Sequence, residues 1–204
     1  MNESKTDRRI LKTRAALSQA LVSLMREKKY DEITVNEILE KANTGRSTFY
    51  LHFRDKDALL SHSLEGMREY LETALGDVAL EGSGLYEAAF GFSAWMFDHA
   101  DSHRALYRSL IGGEGWPVFS RRLEEMLNAV ILSGTESRLR PRKESGVPPD
   151  LFLHFLRESF LSVLTWWLEQ KRRVPPEKIN GLFRELMEPT LAAHFQARGR
   201  ARGR

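Results

Sequence analysis

The chain has 204 residues, of which 42% are hydrophobic and 29% charged, enough length and apolar content to bury the core of one ordinary domain. The sequence contains no cysteine, which excludes a disulfide framework, a thiolate metal site, a cysteine nucleophile and thiol-based redox sensing. The apolar stretches are shorter than a membrane-spanning helix, and the polar N-terminus lacks the apolar core of a signal peptide. We therefore expect a soluble cytoplasmic protein without membrane contact.

The net charge of +3 is unevenly distributed along the chain. Residues 1–56 carry 12 Lys and Arg against 8 Asp and Glu, residues 57–197 carry 15 against 20, and residues 198–204 include four arginines. A basic head, an acidic body and a basic tail predict that only the two ends meet a polyanion. The low-complexity tail is interpreted either as a solvated, disordered end or as an arm that contacts phosphate or a partner.

The spacing of apolar residues predicts helices almost throughout the chain. Gly-rich segments at 82–84 and 112–115 and a polar, proline-containing loop at 134–150 separate them. The predicted helices are residues 6–28, 35–42, 46–53, 55–78, 85–99, 101–111, 119–133, 151–170 and 176–196. The fold class is therefore predicted to be all-α, with about nine helices.

The strongest functional signal lies between residues 33 and 60. Thr34, followed three residues later by Glu37, predicts a capping box at the start of a short helix. Asn43 suits the turn after that helix, because asparagine tolerates left-handed backbone, and Gly45 can begin the next helix. Two short helices joined by a three-residue turn, the second rich in Arg, Ser, Thr, Tyr and His, are typical of a helix-turn-helix at residues 34–53.

The second helix of this motif has one apolar and one polar side. Phe49 and Phe53, four residues apart, are expected to pack inward, which leaves polar side chains for the major groove. Arg46 is the candidate for a bidentate contact with guanine, whereas Tyr50 and His52 are candidate phosphate contacts. The candidate DNA-contacting residues are Thr34, Arg46, Ser47, Thr48, Tyr50, His52 and Lys56.

The run from Ile33 to Leu60, centred on Ala42-Asn-Thr-Gly-Arg-Ser-Thr-Phe-Tyr50-Leu-His-Phe53, resembles the DNA-binding domain of TetR-family transcriptional regulators. The resemblance extends over about residues 6–64. Three residues depart from the commonest family pattern: Lys29 stands where glycine is usual, Asn43 replaces a turn glycine, and Gly45 replaces a Ser or Thr cap.

The resemblance implies a homodimer that presents two such heads to a palindromic double-stranded DNA operator, with recognition helices about 34–36 Å apart. It further implies that a small-molecule effector, bound in the body, tilts the helix beginning at Asp55 and releases the operator. The expected organisation is a DNA-binding domain at 1–54, a ligand-binding and dimerisation domain at 55–197, and a basic tail at 198–204.

Aromatic residues crowd the body, and some are expected to line a mostly apolar effector pocket. The candidates flank the Gly-rich segment at 112–115 and are Trp95, Tyr107, Trp116 and Phe119. The last two predicted helices carry apolar residues on more than one face, which favours a four-helix dimer interface. The candidate interface residues are Phe155, Phe160, Trp167, Phe183 and Met187.

Other classes of function have weaker support in the sequence. His99 and His103 have helical spacing but no evident third ligand, so no metal or cofactor is expected. We find no acid–base pair or nucleophile motif, so no enzyme is expected. The remaining alternative is a helical protein–protein interaction module, which would favour an apolar or aromatic exposed face over Arg-Ser-Thr.

Overall fold

The computed structural model describes residues 3–66, 85–132, 140–141 and 146–196. Within these ranges the chain contains nine α-helices, one 3-10 turn and one pair of two-residue strands, which confirms the predicted all-α class. The helices are α1 (Glu3–Met25), α2 (Val35–Lys41), α3 (Arg46–His52), α4 (Lys56–Ser63), α5 (Leu85–Ser102), α6 (Arg104–Leu110), α7 (Gly115–Leu132), α8 (Pro149–Glu169) and α9 (Pro176–His194); the 3-10 turn is Tyr30–Glu32.

The helix boundaries differ from the predicted ones by a few residues, with two larger differences. The predicted helix 55–78 is seen as α4, capped at its start by the Asp55 carboxylate; its second half and the tail lie outside the described residues. Within the predicted loop 134–150, β1 (Arg140–Pro141) pairs antiparallel with β2 (Phe195–Gln196). Segments this short have no periodicity that a sequence could display.

The chain divides into two compact units. The described residues of the first unit are 3–66 and 103–122, and those of the second are 85–102, 123–132, 140–141 and 146–196. Helix α7 contributes its first half to one unit and its second half to the other. The first unit therefore includes α4 and α6 in addition to the helices predicted for residues 1–54.

The first unit is built around α1, which packs against α4, α2 and α6. Leu17 and Leu21, one helical turn apart, are fully buried on its inner side, as are Ile38 of α2 and Phe49 of α3. The apolar stripe of α1 thus forms the base on which α2 rests, and α3 packs in turn against α2.

Tyr30 connects the α1–α2 segment to the start of α4. Its ring is fully buried, its hydroxyl donates a hydrogen bond to Asp57 Oδ1 at 2.6 Å, and the Lys56 ammonium lies 4.2 Å above the ring centroid. Burial, reinforced by the Asp57 carboxylate, raises the pKa of Tyr30 well above its ordinary value. Tyr30 therefore stays a neutral hydrogen-bond donor inside the unit.

The second unit has an aromatic core, in which α9 packs mainly against α5 and also against α8. The Phe97 ring lies 5.1 Å from that of Phe160, 5.5 Å from Trp167 and 6.1 Å from Phe183. The buried Trp167 indole N–H donates to the carbonyl of Val174 at 2.8 Å, which satisfies its polar atom.

Across the described parts of the chain, none of the helices combines the length and apolarity needed to cross a membrane.

Candidate nucleic-acid interface

The first helix of the motif begins at the predicted capping box. The Thr34 hydroxyl accepts the backbone N–H of Glu37 at 3.3 Å, and the Glu37 carboxylate accepts the backbone N–H of Thr34 at 2.8 Å. The carboxylate also accepts a bond from Lys28 at 2.5 Å. Chiefly through the Lys28 bond, and then through Thr34, the pKa of Glu37 is lowered from 4.5 to about 2. The start of α2 is thus fixed by charged as well as neutral hydrogen bonds.

The turn between α2 and α3 has the backbone that the sequence predicts. Asn43 has a φ of 48°, and no other non-glycine residue among those described has a positive φ. Gly45 occupies the N-cap of α3 with extended backbone and without a side-chain cap, as expected. The turn therefore relies on asparagine to reach a conformation that most residues avoid.

Helix α3 separates an inward and an outward side. Phe49 and Phe53 are buried, with ring centroids 6.0 Å apart, as predicted. Arg46, Ser47, Tyr50 and Leu51 are all exposed. Because residues at i, i+1, i+4 and i+5 share one side of a helix, these four form a single surface, which we call the outward face.

Arg46 is held in place by the neighbouring helix. One of its terminal nitrogens donates to Asn36 Oδ1 on α2 at 2.6 Å, and both side chains are exposed. This bond leaves the other edge of the guanidinium to a bidentate acceptor such as the guanine edge. Sequence reasoning missed Asn36, since nothing local indicates a contact between residues ten apart on different helices.

The remaining candidate DNA contacts are Thr34, Thr48, His52 and Lys56. Thr34 is exposed, whereas Thr48 and His52 are half-buried on the flanks of α3. The half-buried Lys56 donates to the carbonyl oxygens of Tyr30 at 2.9 Å and Ile33 at 3.0 Å. Two of its three N–H donors are thus used inside the protein, and a phosphate contact would use the third.

The four candidate pocket residues do not belong to one unit. Tyr107 and Phe119 are buried in the first unit with ring centroids 5.3 Å apart, and the half-buried Trp116 lies 5.3 Å from the same Phe119 ring. Trp95 belongs to the second unit and stacks on His99. The structure therefore brings three of the four candidates together as a packed aromatic cluster.

The five candidate interface residues separate by burial. Phe155 is exposed, but Phe160, Trp167, Phe183 and Met187 are each at most 4% exposed. The predicted interface role of these four residues does not agree with their burial, because they fill the core of the second unit and leave no surface for a partner. Helices that are apolar on several faces turn their largest side chains inward. The exposed large apolar side chains of the same two helices are Leu151, Phe155, Trp166, Leu182 and Leu186.

Two family profiles match the chain and together cover well over half of it. Residues 17–62 match the profile described as bacterial regulatory proteins, tetR family, and residues 90–189 match the profile of a transcriptional regulator C-terminal region. The first match contains the whole helix-turn-helix, and the second covers α6, α7 and α8 together with most of α5 and α9.

An uncharacterised HTH-type transcriptional regulator of Bacillus subtilis, YxbF, is 25% identical over 177 residues, which are 85% of this chain and 44% of the relative. The chain thus spans less than half of that relative's length.

Two solved structures cover nearly the whole chain. NalD of Pseudomonas aeruginosa, described as the secondary repressor of the MexAB-OprM multidrug efflux pump, has a TM-score of 0.61 at 20% identity and covers 91% of this chain and 98% of its own. RolR in complex with resorcinol has a TM-score of 0.62 at 24% identity and covers 90% and 89%. At these identities the likeness establishes the fold.

Proposed function

The chain belongs to the TetR family of transcriptional regulators, and from this premise we propose that it is a repressor released from a palindromic operator by a small molecule. The family is not an enzyme family, so the expected function of the chain is binding and not a reaction. The observation that carries the proposal is the outward face of α3, where the Arg46 guanidinium is held by Asn36.

The outward face supports base reading because it combines the N–H donors of one guanidinium group with two hydroxyl groups. Arg46 suits guanine, and the hydroxyls of Ser47 and Tyr50 suit bases or phosphates. The buried pair Phe49 and Phe53 fixes the helix on the unit beneath it, so that the face is presented on a rigid support.

Selection from a random-sequence duplex library tests this part of the proposal. The full chain should enrich a palindrome, and its binding should weaken steeply with salt because phosphates release counterions. Arg46→Ala should relax the base preference at one position in each half-site, whereas Lys56→Ala should weaken all sequences similarly. Failure to enrich any sequence at low salt would sink the proposal.

We propose that α8 and α9 form the homodimer face through their exposed apolar side chains. Leu151, Phe155 and Trp166 are exposed on α8, and Leu182 and Leu186 are exposed one turn apart on α9. Leu186→Glu should shift the protein to monomer in sedimentation velocity and lower its operator affinity. The matched control is Glu185→Lys, an exposed charge reversal on the same helix, which should remain dimeric.

The effector part of the proposal rests on fold likeness to proteins such as RolR, whose structure contains resorcinol. An aromatic, mostly apolar compound would suit the cluster of Tyr107, Trp116 and Phe119. Native mass spectrometry of the protein purified from a bacterial host should reveal a retained small molecule. Adding that molecule should weaken operator binding, and linkage requires the operator to weaken its binding by the same factor.

One observation favours a second candidate function, a protein-docking head. Tyr50 and Leu51, half of the outward face, are aromatic or apolar and exposed, as expected of a docking helix. The library selection distinguishes the two, because a docking head would enrich no DNA sequence.

A further inference from the structure

Leu51 is the most exposed large apolar side chain in the described part of the chain, at 80%. It lies at the C-terminal end of the outward face, next to Tyr50 and four residues after Ser47. A single exposed leucine is ordinary on a protein surface, but this one belongs to the surface that we propose reads DNA.

The packing of α3 does not explain a leucine at this position. Phe49 and Phe53 already fill the inward side, and any strong helix former, including Gln, Lys or Glu, would serve an exposed position equally well. An apolar side chain contributes binding energy only where a partner covers it with apolar surface.

We propose that Leu51 reads thymine by covering the C5 methyl group of that base in the major groove. The methyl is the apolar group in the major-groove pattern of the base pairs. A phosphate, in contrast, has no apolar surface that a leucine side chain could cover. The inference rests on the proposed function and adds to it a residue that determines specificity, together with the base that it recognises.

The helix geometry also predicts where the thymine lies. Leu51 is five residues from Arg46, a rise of about 7.5 Å along the helix axis, and base pairs are about 3.4 Å apart. If Arg46 contacts guanine, the thymine should therefore lie about two base pairs away in the same half-site.

The experiment uses the full chain and the palindrome that it selects from the random-sequence library. Each thymine near the guanine is replaced in turn by deoxyuridine, which lacks only the methyl group. One replacement per half-site should lower the affinity of the wild type by roughly fourfold per methyl. Leu51→Ala should bind the thymidine and deoxyuridine duplexes equally, and Leu51→Met, which keeps an apolar side chain, should retain most of the discrimination.

A matched control separates this effect from a general change in surface. Leu11→Ala removes an exposed leucine, 65% accessible, from α1 of the same unit, and it should keep the full response to deoxyuridine. Circular dichroism of all three variants should match the wild type, because the substituted side chains are exposed.

The outcomes keep the two proposals apart. If the wild type selects a palindrome but binds the deoxyuridine duplexes as tightly as the thymidine duplex, the role of Leu51 is overturned and DNA reading stands. A variant Leu51→Ala that still discriminates also overturns it. If the chain selects no sequence at all, the proposed function fails and the inference with it.

Discussion

The ammonium of Lys29 donates a hydrogen bond to the carbonyl oxygen of Arg108, 2.8 Å away in the last turn of α6. Two residues later, Asp31 Oδ1 accepts the backbone N–H of Glu114 at 2.8 Å, directly before α7. The segment that leads into the helix-turn-helix thus caps the C-terminal end of α6 and holds the residue that precedes α7. Any displacement of the α6–α7 turn acts directly on this segment.

Lys29→Met should lower the free energy of unfolding by about 0.5–1 kcal/mol, because a cation that caps terminal carbonyls is lost. Urea denaturation measures the difference. Lys12→Met, an exposed substitution on α1, is the control and should change little. Equal stability of the two variants would contradict a capping role for Lys29.

Gly115→Ala should be destabilising by about 1–3 kcal/mol through overpacking. A Cβ at this position would lie 2.6 Å from Leu110 Cδ2 and 2.7 Å from Tyr30 Cδ1. Gly181→Ala in α9, where nothing beyond the flanking residues and the helix's own backbone lies within 4 Å of the added Cβ, should instead stabilise the protein by about 0.5–1 kcal/mol. Thermal melts should therefore shift in opposite directions, and a shift of the same sign would refute this packing argument.

Asn43→Val should cost about 1–2 kcal/mol, since a β-branched residue is strained at a φ of 48°. Asn43→Gly should be neutral or slightly stabilising, because glycine reaches this conformation freely. Urea denaturation of both variants tests the turn; a fully stable valine variant would mean that the turn adopts another backbone in solution.

Gly45→Ser should be more stable than Gly45→Ala by about 1 kcal/mol, because only serine supplies a side-chain cap for α3. The site has room for either residue, as nothing beyond the two adjacent residues lies within 4 Å of an added Cβ. Both variants should be compared by thermal denaturation. Indistinguishable melts would show that the cap position lies elsewhere.

The lowered pKa of the Glu37 carboxylate predicts that the free energy of unfolding depends on pH. Its pKa in the folded protein is about 2, against an ordinary value of 4.5. A depressed folded pKa contributes stability above the unfolded value, and that contribution is lost as the pH falls from about 5 towards 2. Glu37→Gln keeps the capping geometry but removes the charge.

The stability difference between wild type and Glu37→Gln should therefore be largest above pH 5 and shrink towards pH 2. Urea denaturation across pH 2–7 at constant ionic strength measures it. A difference that does not change with pH would contradict the role of the ion pair with Lys28.

The all-α class, the helix-turn-helix and the turn chemistry within it could be predicted from the order of the residues. The Thr34–Glu37 box, the positive φ of Asn43 and the Gly45 cap all depend on residues within a few positions of each other. Their energetics are local, so the order of residue types was sufficient to predict them.

The sequence could not predict which side chains face outward and which are held by distant groups, because both depend on the folded chain. The bond from Arg46 to Asn36, the placement of Lys56 on two carbonyls and the burial of Phe160 and Trp167 in the core join residues on different elements. Apolar periodicity indicates that a helix has an apolar side, but it does not indicate whether that side packs against the chain's own core or against a partner. That choice depends on which helices pack together, and for this reason the exposure of Leu51 became evident only in the folded chain.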